Sequence, residues 1–197
     1  KVFMFDGIST PSEVVSISVT GNSTGLSWSP DGRFIAVVNS GSLLSVFSCS
    51  PTGMLTLVDS VLYSYGVFND VVWSPDGKYI AVPNVTGGKL HIFSFTGISV
   101  SLVKSVNVSI PVAVSWSADG RFIAVSSQTN GLAVYSFSGV EAPIAFVDGM
   151  SFSSSVESRL AWSPDGRFVA VAIQTLNILR VFEFNGSRLL KVGGDTR

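Results

Sequence analysis

Short apolar runs, each about the length of a β-strand, recur along the chain between polar turns. One run has the form Phe-Ile-Ala-Val, and β-branched and aromatic residues dominate it, as they do in pleated strands. A run that ends in tryptophan precedes each copy, and two further runs follow it. These runs are nearly continuously apolar, which indicates strands that are buried on both faces. The four copies of the first run occupy residues 34–37, 79–82, 122–125 and 168–171.

A six-residue phrase, Trp-Ser-Pro-Asp-Gly-Arg or a close variant, separates the first two strands of every repeat. Its four copies begin at Trp28, Trp73, Trp116 and Trp162, at intervals of 45, 43 and 46 residues. Proline presets φ, aspartate bonds to its own backbone and glycine adopts a positive φ, so the phrase predicts a tight turn. Ala118 replaces proline in the third copy without removing that prediction. The residues predicted to be structural in the turns are Asp31, Gly32, Asp76, Gly77, Asp119, Gly120, Asp165 and Gly166.

Repeats of roughly 40–50 residues that hold four short strands are typical of the blades of a β-propeller. The sequence therefore predicts an all-β propeller with four complete four-stranded blades in residues 21–61, 62–106, 107–149 and 150–197. Residues 1–20 predict a half-blade, because the segment from Val2 to Gly7 matches the third strand of a repeat and Val14–Ile17 matches the fourth. We expect the blades to belong to a larger propeller of about seven blades, or to be closed by another copy of the chain.

The composition is apolar and poor in charge: 46% of the residues are hydrophobic and 13% are charged, against roughly 25% charged in ordinary soluble domains. The net charge is −1, with 12 basic and 13 acidic residues, so no electrostatic footprint for nucleic acid or anionic lipid is expected. No uncharged apolar stretch reaches the length of a membrane-spanning helix, about 20 residues. This composition favours a location in the cell envelope or outside the cell.

Few residues offer catalytic or metal-binding chemistry. Cys49 is the single cysteine, so an intramolecular disulfide is excluded and a small buried side chain is expected. His91 is the single histidine, so neither a metal site nor a Ser-His-Asp arrangement is expected, and no cofactor is implied. Four Asn-x-Ser/Thr sequences are acceptors for glycans if the chain enters a eukaryotic secretory pathway. They begin at Asn22, Asn84, Asn107 and Asn185.

The phrase Trp-Ser-Pro-Asp-Gly-Arg-Phe-Ile-Ala-Val, followed by Val-Phe-x-Phe-x-Gly, resembles bacterial propeller repeats described as YVTN-like or lactonase-like, WD40-like and TolB-like. The resemblance covers residues 1–192 and implies a ring of about seven blades. Such families contain sugar lactonases, binding proteins and surface proteins, so the fold does not choose among functions. The lactonase-like enzymes use His, Glu and Arg around a central cavity. Those residues have no matching motif here, and no catalytic residue is assigned.

Positions that break the repeat are the best candidates for a binding site. Three residues before each tryptophan, on the strand expected to line the central channel, Asp70 and Arg159 stand where the other repeats have Gly25 and Ala113. Asn69 and Ser158 beside them are polar as well. We predict a binding site at the rim of the channel; solvated polar side chains at that rim are the alternative. Aromatic residues in the loops predict either a recognition surface or packing between blades, namely Tyr63, Tyr65, Phe68 and Phe152.

Three functions remain open on these observations. The leading hypothesis is a non-enzymatic module that presents loops and the channel rim to a protein or a glycan. The second is a lactonase-like hydrolase whose catalytic residues lie in blades outside this chain. The third is a self-assembling propeller, which predicts a stable oligomer that is lost when residues 1–20 are removed.

Overall fold

The structure, a computed structural model, describes residues 1–4, 12–152 and 158–192, which form five antiparallel sheets. Four sheets have four strands and one has two, so the prediction of four complete blades and an N-terminal half-blade is confirmed. Apart from one 3-10 turn at Gln174–Leu176, every regular element of the described residues is a strand. None of the described segments forms a helix with the length and apolar character needed to span a bilayer.

Each complete blade is a meander in which consecutive strands pair from the inner to the outer edge. The first blade holds β3 (Ser23–Trp28), β4 (Phe34–Asn39), β5 (Leu43–Cys49) and β6 (Leu55–Leu62). The second holds β7 (Val72–Trp73), β8 (Tyr79–Asn84), β9 (Lys89–Phe95) and β10 (Val100–Asn107). The third holds β11 (Pro111–Trp116), β12 (Phe122–Ser127), β13 (Gly131–Ser136) and β14 (Ala145–Met150). The fourth holds β15 (Ser158–Trp162), β16 (Phe168–Ile173), β17 (Ile178–Phe184) and β18 (Leu189–Lys191).

The half-blade consists of β1 (Val2–Met4) and β2 (Ser12–Val15), which pair antiparallel. Among the described residues β1 pairs with β2 and with no other strand. The remainder of its predicted third-strand segment, Phe5 to Gly7, lies outside the described residues.

The repeated turns share one hydrogen-bond pattern, which the first turn illustrates. Ser29 Oγ donates to Asp31 Oδ1 at 2.6 Å, and the same carboxylate oxygen accepts from the Arg33 N–H at 3.1 Å. The Phe34 N–H donates to Ser29 Oγ at 2.9 Å, and Gly32 has a φ of 70°. The third turn keeps the Ser-to-Asp bond at 2.6 Å although Ala118 replaces proline. The turn is therefore held by its serine and aspartate, and proline is dispensable.

The hydrophobic core lies between neighbouring blades in three clusters, one for each pair of complete blades. An aromatic group recurs in them: the ring of Phe95 lies 4.9 Å from that of Phe34 on the preceding blade and 5.2 Å from that of Trp73 on its own blade. Burial of side chains of this size contributes about 1.5–3 kcal/mol each. Because each cluster takes residues from two blades, no blade has a core of its own.

The inner strand of the second blade is shorter than its sequence predicts. The run Val71-Val72-Trp73 predicts a strand, but β7 contains only its last two residues. The preceding residues bond to the third blade instead: Asn69 Nδ2 donates to Val112 O at 3.1 Å, and Asp70 Oδ2 accepts from the Val114 N–H at 3.1 Å. Side-chain bonds to the neighbouring blade thus replace part of the ladder within the blade.

The outer strand of each of the first three blades contains a β-bulge, and in the first and third blades the bulge aims an aspartate at the following blade. In the first blade Asp59 Oδ2 accepts from the Val100 N–H at 2.8 Å. In the third blade Asp148 Oδ2 accepts from the Leu189 N–H at 2.7 Å. Lys104 stands at the corresponding bulge of the second blade. These carboxylates join the outer strands of the first and second blades and those of the third and fourth blades.

Candidate functional site

Asp70, the first residue predicted for the channel rim, has both carboxylate oxygens bound to backbone. Oδ1 accepts from the Val71 N–H at 2.9 Å, and Oδ2 accepts from the Val114 N–H on the next inner strand at 3.1 Å. Burial raises the pKa of Asp70, while the two N–H donors and the charge of Arg159 act in the opposite direction. The side chain therefore fastens the second blade to the third.

In the first blade the residue equivalent to Asp70 is Gly25, and its surroundings explain why a glycine stands there. A Cβ on Gly25 would lie 3.0 Å from the Cα of Asp70 and 3.3 Å from its carbonyl carbon. The inner strands of the first two blades thus leave little room for a side chain at this position. Close packing against the Asp70 backbone therefore favours the glycine.

Arg159 differs from Asp70 because its side chain is exposed, in the fourth blade. It lines a cleft of about 500 Å³ with Ala172, Gln174 and Leu179. Its charge is the smallest of the effects that lower the pKa of Asp70. Ser158 begins β15 and pairs with Ile173 through its backbone, but its side chain lies outside the described part of the chain.

His91 is fully buried and hydrogen-bonded at both ring nitrogens. Nδ1 lies 2.7 Å from Ser105 Oγ, and Nε2 lies 3.2 Å from Asn84 Nδ2. Burial lowers the pKa of His91 to about 4, and the charge of Lys89 adds to that effect. The imidazole is therefore neutral at physiological pH, and its nitrogens are engaged within the core.

Asn84 shares this buried network. Its side-chain oxygen accepts from the N–H groups of Val67 and Gly87, and its nitrogen donates to Tyr65 O at 2.9 Å. The residue is fully buried. In the folded chain this Asn-x-Thr sequence is a structural element that presents no free amide for a glycan.

The loop aromatics mostly pack inward. Phe68 is fully buried, and the ring of Phe152 stacks 6.4 Å from that of Phe182. Tyr63 lies 4.5 Å from the His91 ring, measured between centroids. Tyr65 differs, with 68% of its surface exposed. Packing between blades, one of the two sequence interpretations, accounts for three of the four aromatics.

The repeated turns lie next to one another and enclose a cleft between each pair of neighbouring complete blades. We call this surface the turn face, and the three spaces the turn clefts. Their volumes, from the first blade to the fourth, are about 480, 510 and 290 Å³. Each is lined by a serine and a carboxylate from one turn, by residues of the next turn, and by the loop after the third strand of the later blade. The aspartate and glycine residues of these turns were predicted to be structural, and the constant period of the turns already places them side by side.

The turn clefts carry charges of both signs. Arg33 Nε lies 2.7 Å from Asp31 Oδ2, and Arg121 Nε lies 2.6 Å from Asp119 Oδ2. The hydrogen bond from Ser29, followed by that from Arg33, lowers the pKa of Asp31 to about 2, so this carboxylate is ionised at neutral pH. Each cleft therefore offers hydroxyl, carboxylate and cationic groups at once. Within the described ranges, no group of three or more His, Cys, Asp or Glu residues could hold a metal ion.

Comparison with protein families gives two matches. Residues 1–143 match the model of the family described as eukaryotic translation initiation factor eIF2A. The chain belongs to this eIF2A family. Residues 104–192 match the model described as Lactonase, 7-bladed beta-propeller, which confirms the resemblance to lactonase-like propeller repeats. The two matched regions of this eIF2A-family chain overlap in the third blade, so one repeat satisfies both models. The sequence analysis did not identify the eIF2A family, whose match begins in the half-blade.

Solved structures of similar fold come from several organisms. A protein assigned as a candidate 6-phosphogluconolactonase from Bacteroides uniformis has a TM-score of 0.82 and 17% identity, with 98% of this chain and 64% of that chain covered. A similar assignment from Bacteroides fragilis gives 0.75 and 17%, with 89% and 55% covered. The hydrazine synthase of Kuenenia stuttgartiensis gives 0.69 and 15%, with 96% and 53% covered.

These likenesses show the propeller fold and leave the activity open, because the identities are low and a lactonase and a hydrazine synthase carry out different chemistry. The chain spans less than two thirds of the length of each of these structures. Comparison with curated proteins gave no match.

Proposed function

We propose that the chain is a non-catalytic binding module whose contact surface is the turn face. The observation that carries the proposal is the recurrence of one cleft, with the same kinds of lining residue, between each pair of complete blades. Clefts of a few hundred Å³ suit small ligands or single units of a larger one. A row of clefts with similar linings favours a ligand that repeats along its length, because linked contacts bind far more tightly than single ones.

The lining chemistry favours a glycan as that repeating ligand. Sugar hydroxyl groups both donate and accept hydrogen bonds, and each cleft holds donors and acceptors together. In the second cleft these include Ser74, Asp76 and Lys78, beside the apolar surfaces of Pro75 and Tyr79. A partner protein remains the other outcome of the test below. The near-neutral charge of the chain supports a contact that involves no nucleic acid, and a glycan ligand fits a location in the cell envelope or outside the cell.

The state of the titratable residues supports binding rather than catalysis. A general base needs a free lone pair within reach of a substrate. Both ring nitrogens of His91 are hydrogen-bonded within the core, and both oxygens of Asp70 accept backbone N–H groups. Their perturbed pKa values therefore follow from structural burial.

The test is binding of the chain to an array of neutral and acidic oligosaccharides, followed by titration with the polymer of the best ligand. Pro75 lines the first and second clefts, and the third turn already has alanine at this position, so Pro75→Ala retains the fold. Combined with Lys78→Ala, it is expected to weaken binding of the polymer roughly tenfold or more. Lys104→Ala, on an outer strand, is the control and leaves binding unchanged. Absence of binding to every glycan, or equal binding by both variants, would overturn the proposal.

A second candidate is a lactonase-like hydrolase, favoured by the match of residues 104–192 to the lactonase propeller model. In this case exposed Arg159 would bind the substrate, and the remaining catalytic groups would lie outside this chain. Hydrolysis of a sugar lactone by a protein that contains these blades, abolished by Arg159→Ala, would support it. Absence of hydrolysis of every sugar lactone tested by that larger protein would reject it.

A further inference from the structure

Two asparagines of the chain are directly followed by glycine, Asn130 and Asn185. Both asparagines are exposed, but the glycines that follow them differ. Gly131 begins β13 and is buried, and a Cβ there would collide with the carbonyl oxygen of Met150. Gly186 is exposed in the turn between β17 and β18, and no described atom lies within 4 Å of the position of a Cβ. The backbone of Gly186 therefore has room to move that the backbone of Gly131 lacks.

The turn at Asn185 surrounds its side-chain oxygen with hydrogen-bond donors. Oδ1 accepts from the Ser187 N–H at 3.0 Å, from Ser187 Oγ at 3.0 Å and from the Arg188 N–H at 2.9 Å. Donors aimed at a carbonyl oxygen stabilise the negative charge that the oxygen gains when a nucleophile adds to the carbonyl carbon. The side-chain amide of Asn185 is therefore activated at Cγ. Among the described residues no donor bonds to the side-chain oxygen of Asn130, which bonds through its backbone N–H.

We propose that Asn185 converts to aspartate and isoaspartate in the folded chain without the help of an enzyme. The backbone nitrogen of Gly186 gives its proton to hydroxide and attacks Cγ of Asn185, which closes a succinimide ring. The Cγ–Nδ2 bond breaks, and Nδ2 takes a proton from water and leaves as ammonia. One water molecule then opens the ring, at the new N–Cγ bond to give aspartate or at the backbone C–N bond to give isoaspartate. Glycine permits the attack because it has no side chain and rotates freely.

The residue that converts lies in the third turn cleft. Asn185 lines this cleft together with Asp165 and Arg121. Thr96 and Ser138 stand at the equivalent position in the first and second clefts. Neither can undergo the reaction, because their side chains have no amide to lose. Conversion therefore adds a carboxylate to one cleft of the three and changes its charge relative to the other two.

The fold favours the reaction at one asparagine and opposes it at the other. At Asn130 the attack would require Gly131 to leave its place beside Met150 in the sheet, which takes a local opening of the blade. At Asn185 the turn is exposed, so hydroxide and water reach the amide and ammonia can depart. The same dipeptide thus has opposite fates in the two turns. The inference is independent of the function proposed for the turn face, because the reaction needs no ligand.

The test is incubation of the folded chain, made in a host that adds no glycans, in H₂¹⁸O at several pH values between 6 and 9. Digestion at acidic pH stops the reaction, and chromatography with mass spectrometry separates the aspartate and isoaspartate peptides and detects the ¹⁸O that ring opening adds. Asn185 is expected to convert about tenfold or more faster than Asn130, since only its glycine is free to move. The rate should rise with pH, because the attacking nitrogen must lose its proton. In guanidinium chloride the two asparagines should convert at similar rates, because both precede glycine.

Two variants make the result specific. Ser187→Ala removes the hydroxyl donor to Asn185 Oδ1 and keeps both backbone donors, so it should slow conversion roughly threefold or more. Ser138→Ala removes an exposed hydroxyl at the equivalent turn of the third blade and should leave the rate unchanged. No ¹⁸O at Asn185, equal rates at the two asparagines in the folded chain, or a rate that Ser187→Ala does not alter would overturn the inference. Glycan binding at the turn face is measured separately, so failure of either proposal is recognised on its own.

Discussion

At the scale of single residues, polar side chains inside the blades mainly bind backbone groups or one another. His91 illustrates this, because alanine, serine or arginine stands at its position in the other complete blades, where no histidine network is needed. Its partners, Asn84 and Ser105, complete a network in which no ring nitrogen is left unpaired. Buried polar groups persist only when they are satisfied in this way.

The burial of His91 predicts a loss of stability at mildly acidic pH. Its pKa is about 4 in the folded chain and near 6.5 in the unfolded chain. Between these values the unfolded state binds a proton that the folded state does not. The free energy of unfolding should therefore fall by about 1.4 kcal/mol per pH unit as the pH drops from 6.5 towards 4. Urea unfolding of the chain and of His91→Gln at pH 7 and pH 5 measures it. An equal pH dependence in both would contradict the assignment.

Asp70 gives a second prediction at this scale. Asp70→Asn leaves one of the two N–H groups, of Val71 or Val114, facing an NH₂ group, which should lower the free energy of unfolding by about 1–3 kcal/mol. Arg159→Ala removes an exposed side chain and should change stability by less than about 0.5 kcal/mol. Chemical denaturation of the two variants compares them. Equal stability of Asp70→Asn and the unmodified chain would show that the contact to the third blade contributes nothing.

The candidate site could be predicted from the sequence only in part. Asp70 and Arg159 break the repeat equally, yet Asp70 is half-buried with both carboxylate oxygens bound to backbone, and Arg159 is exposed. The sequence does not separate these cases, because the partner of Asp70 is the N–H of Val114, a group that every residue but proline carries. The turn clefts were missed for another reason: each turn residue has a local role, and the cleft arises only between two turns.

At the scale of elements, the blades are joined at both edges, by inner side chains such as Asp70 and by carboxylates at outer bulges. The strand pattern and the turns were predictable, because they follow from apolar runs and from turn residues that recur four times. The bulges were not, since one extra residue in an apolar run leaves the run looking continuous. The shortened β7 was missed because Asn69 and Asp70 bond across blades.

The outer fastening predicts a difference between two matched variants. Asp148→Ala removes the acceptor of the buried Leu189 N–H and should cost about 1 kcal/mol, with faster hydrogen exchange at that amide. Lys104→Ala alters the same bulge position in the second blade, where no aspartate stands, and should be nearly neutral. Hydrogen exchange and urea unfolding of both variants measure this. Equal changes in the free energy of unfolding for the two variants would mean that Asp148 does not stabilise the contact between the third and fourth blades.

At the scale of the whole molecule, the three interfaces between complete blades are built alike. The first and fourth blades each have one further face, and these two faces correspond to the two sides of such an interface. In the second and third blades, the face that corresponds to that of Trp28 packs against the preceding blade. In the first three blades, the face that corresponds to that of Ala172 and Leu179 packs against the following blade. Because the interfaces are alike, the lining residues of the turn clefts recur at regular positions along the turn face. A ligand that repeats along its length requires such regular spacing, so the architecture is consistent with the proposed function.

The measurement that tests this account most directly is the stoichiometry of ligand binding. Isothermal titration of the chain with the shortest oligosaccharide that binds on the array counts the sites. Three turn clefts predict three equivalents of ligand per chain. Pro75→Ala with Lys78→Ala should leave two equivalents, because Lys78 lines the second of the three clefts alone, and the second cleft already holds Ala118 where the first holds Pro75. A single equivalent that is insensitive to both substitutions would contradict the account and place binding away from the turn face.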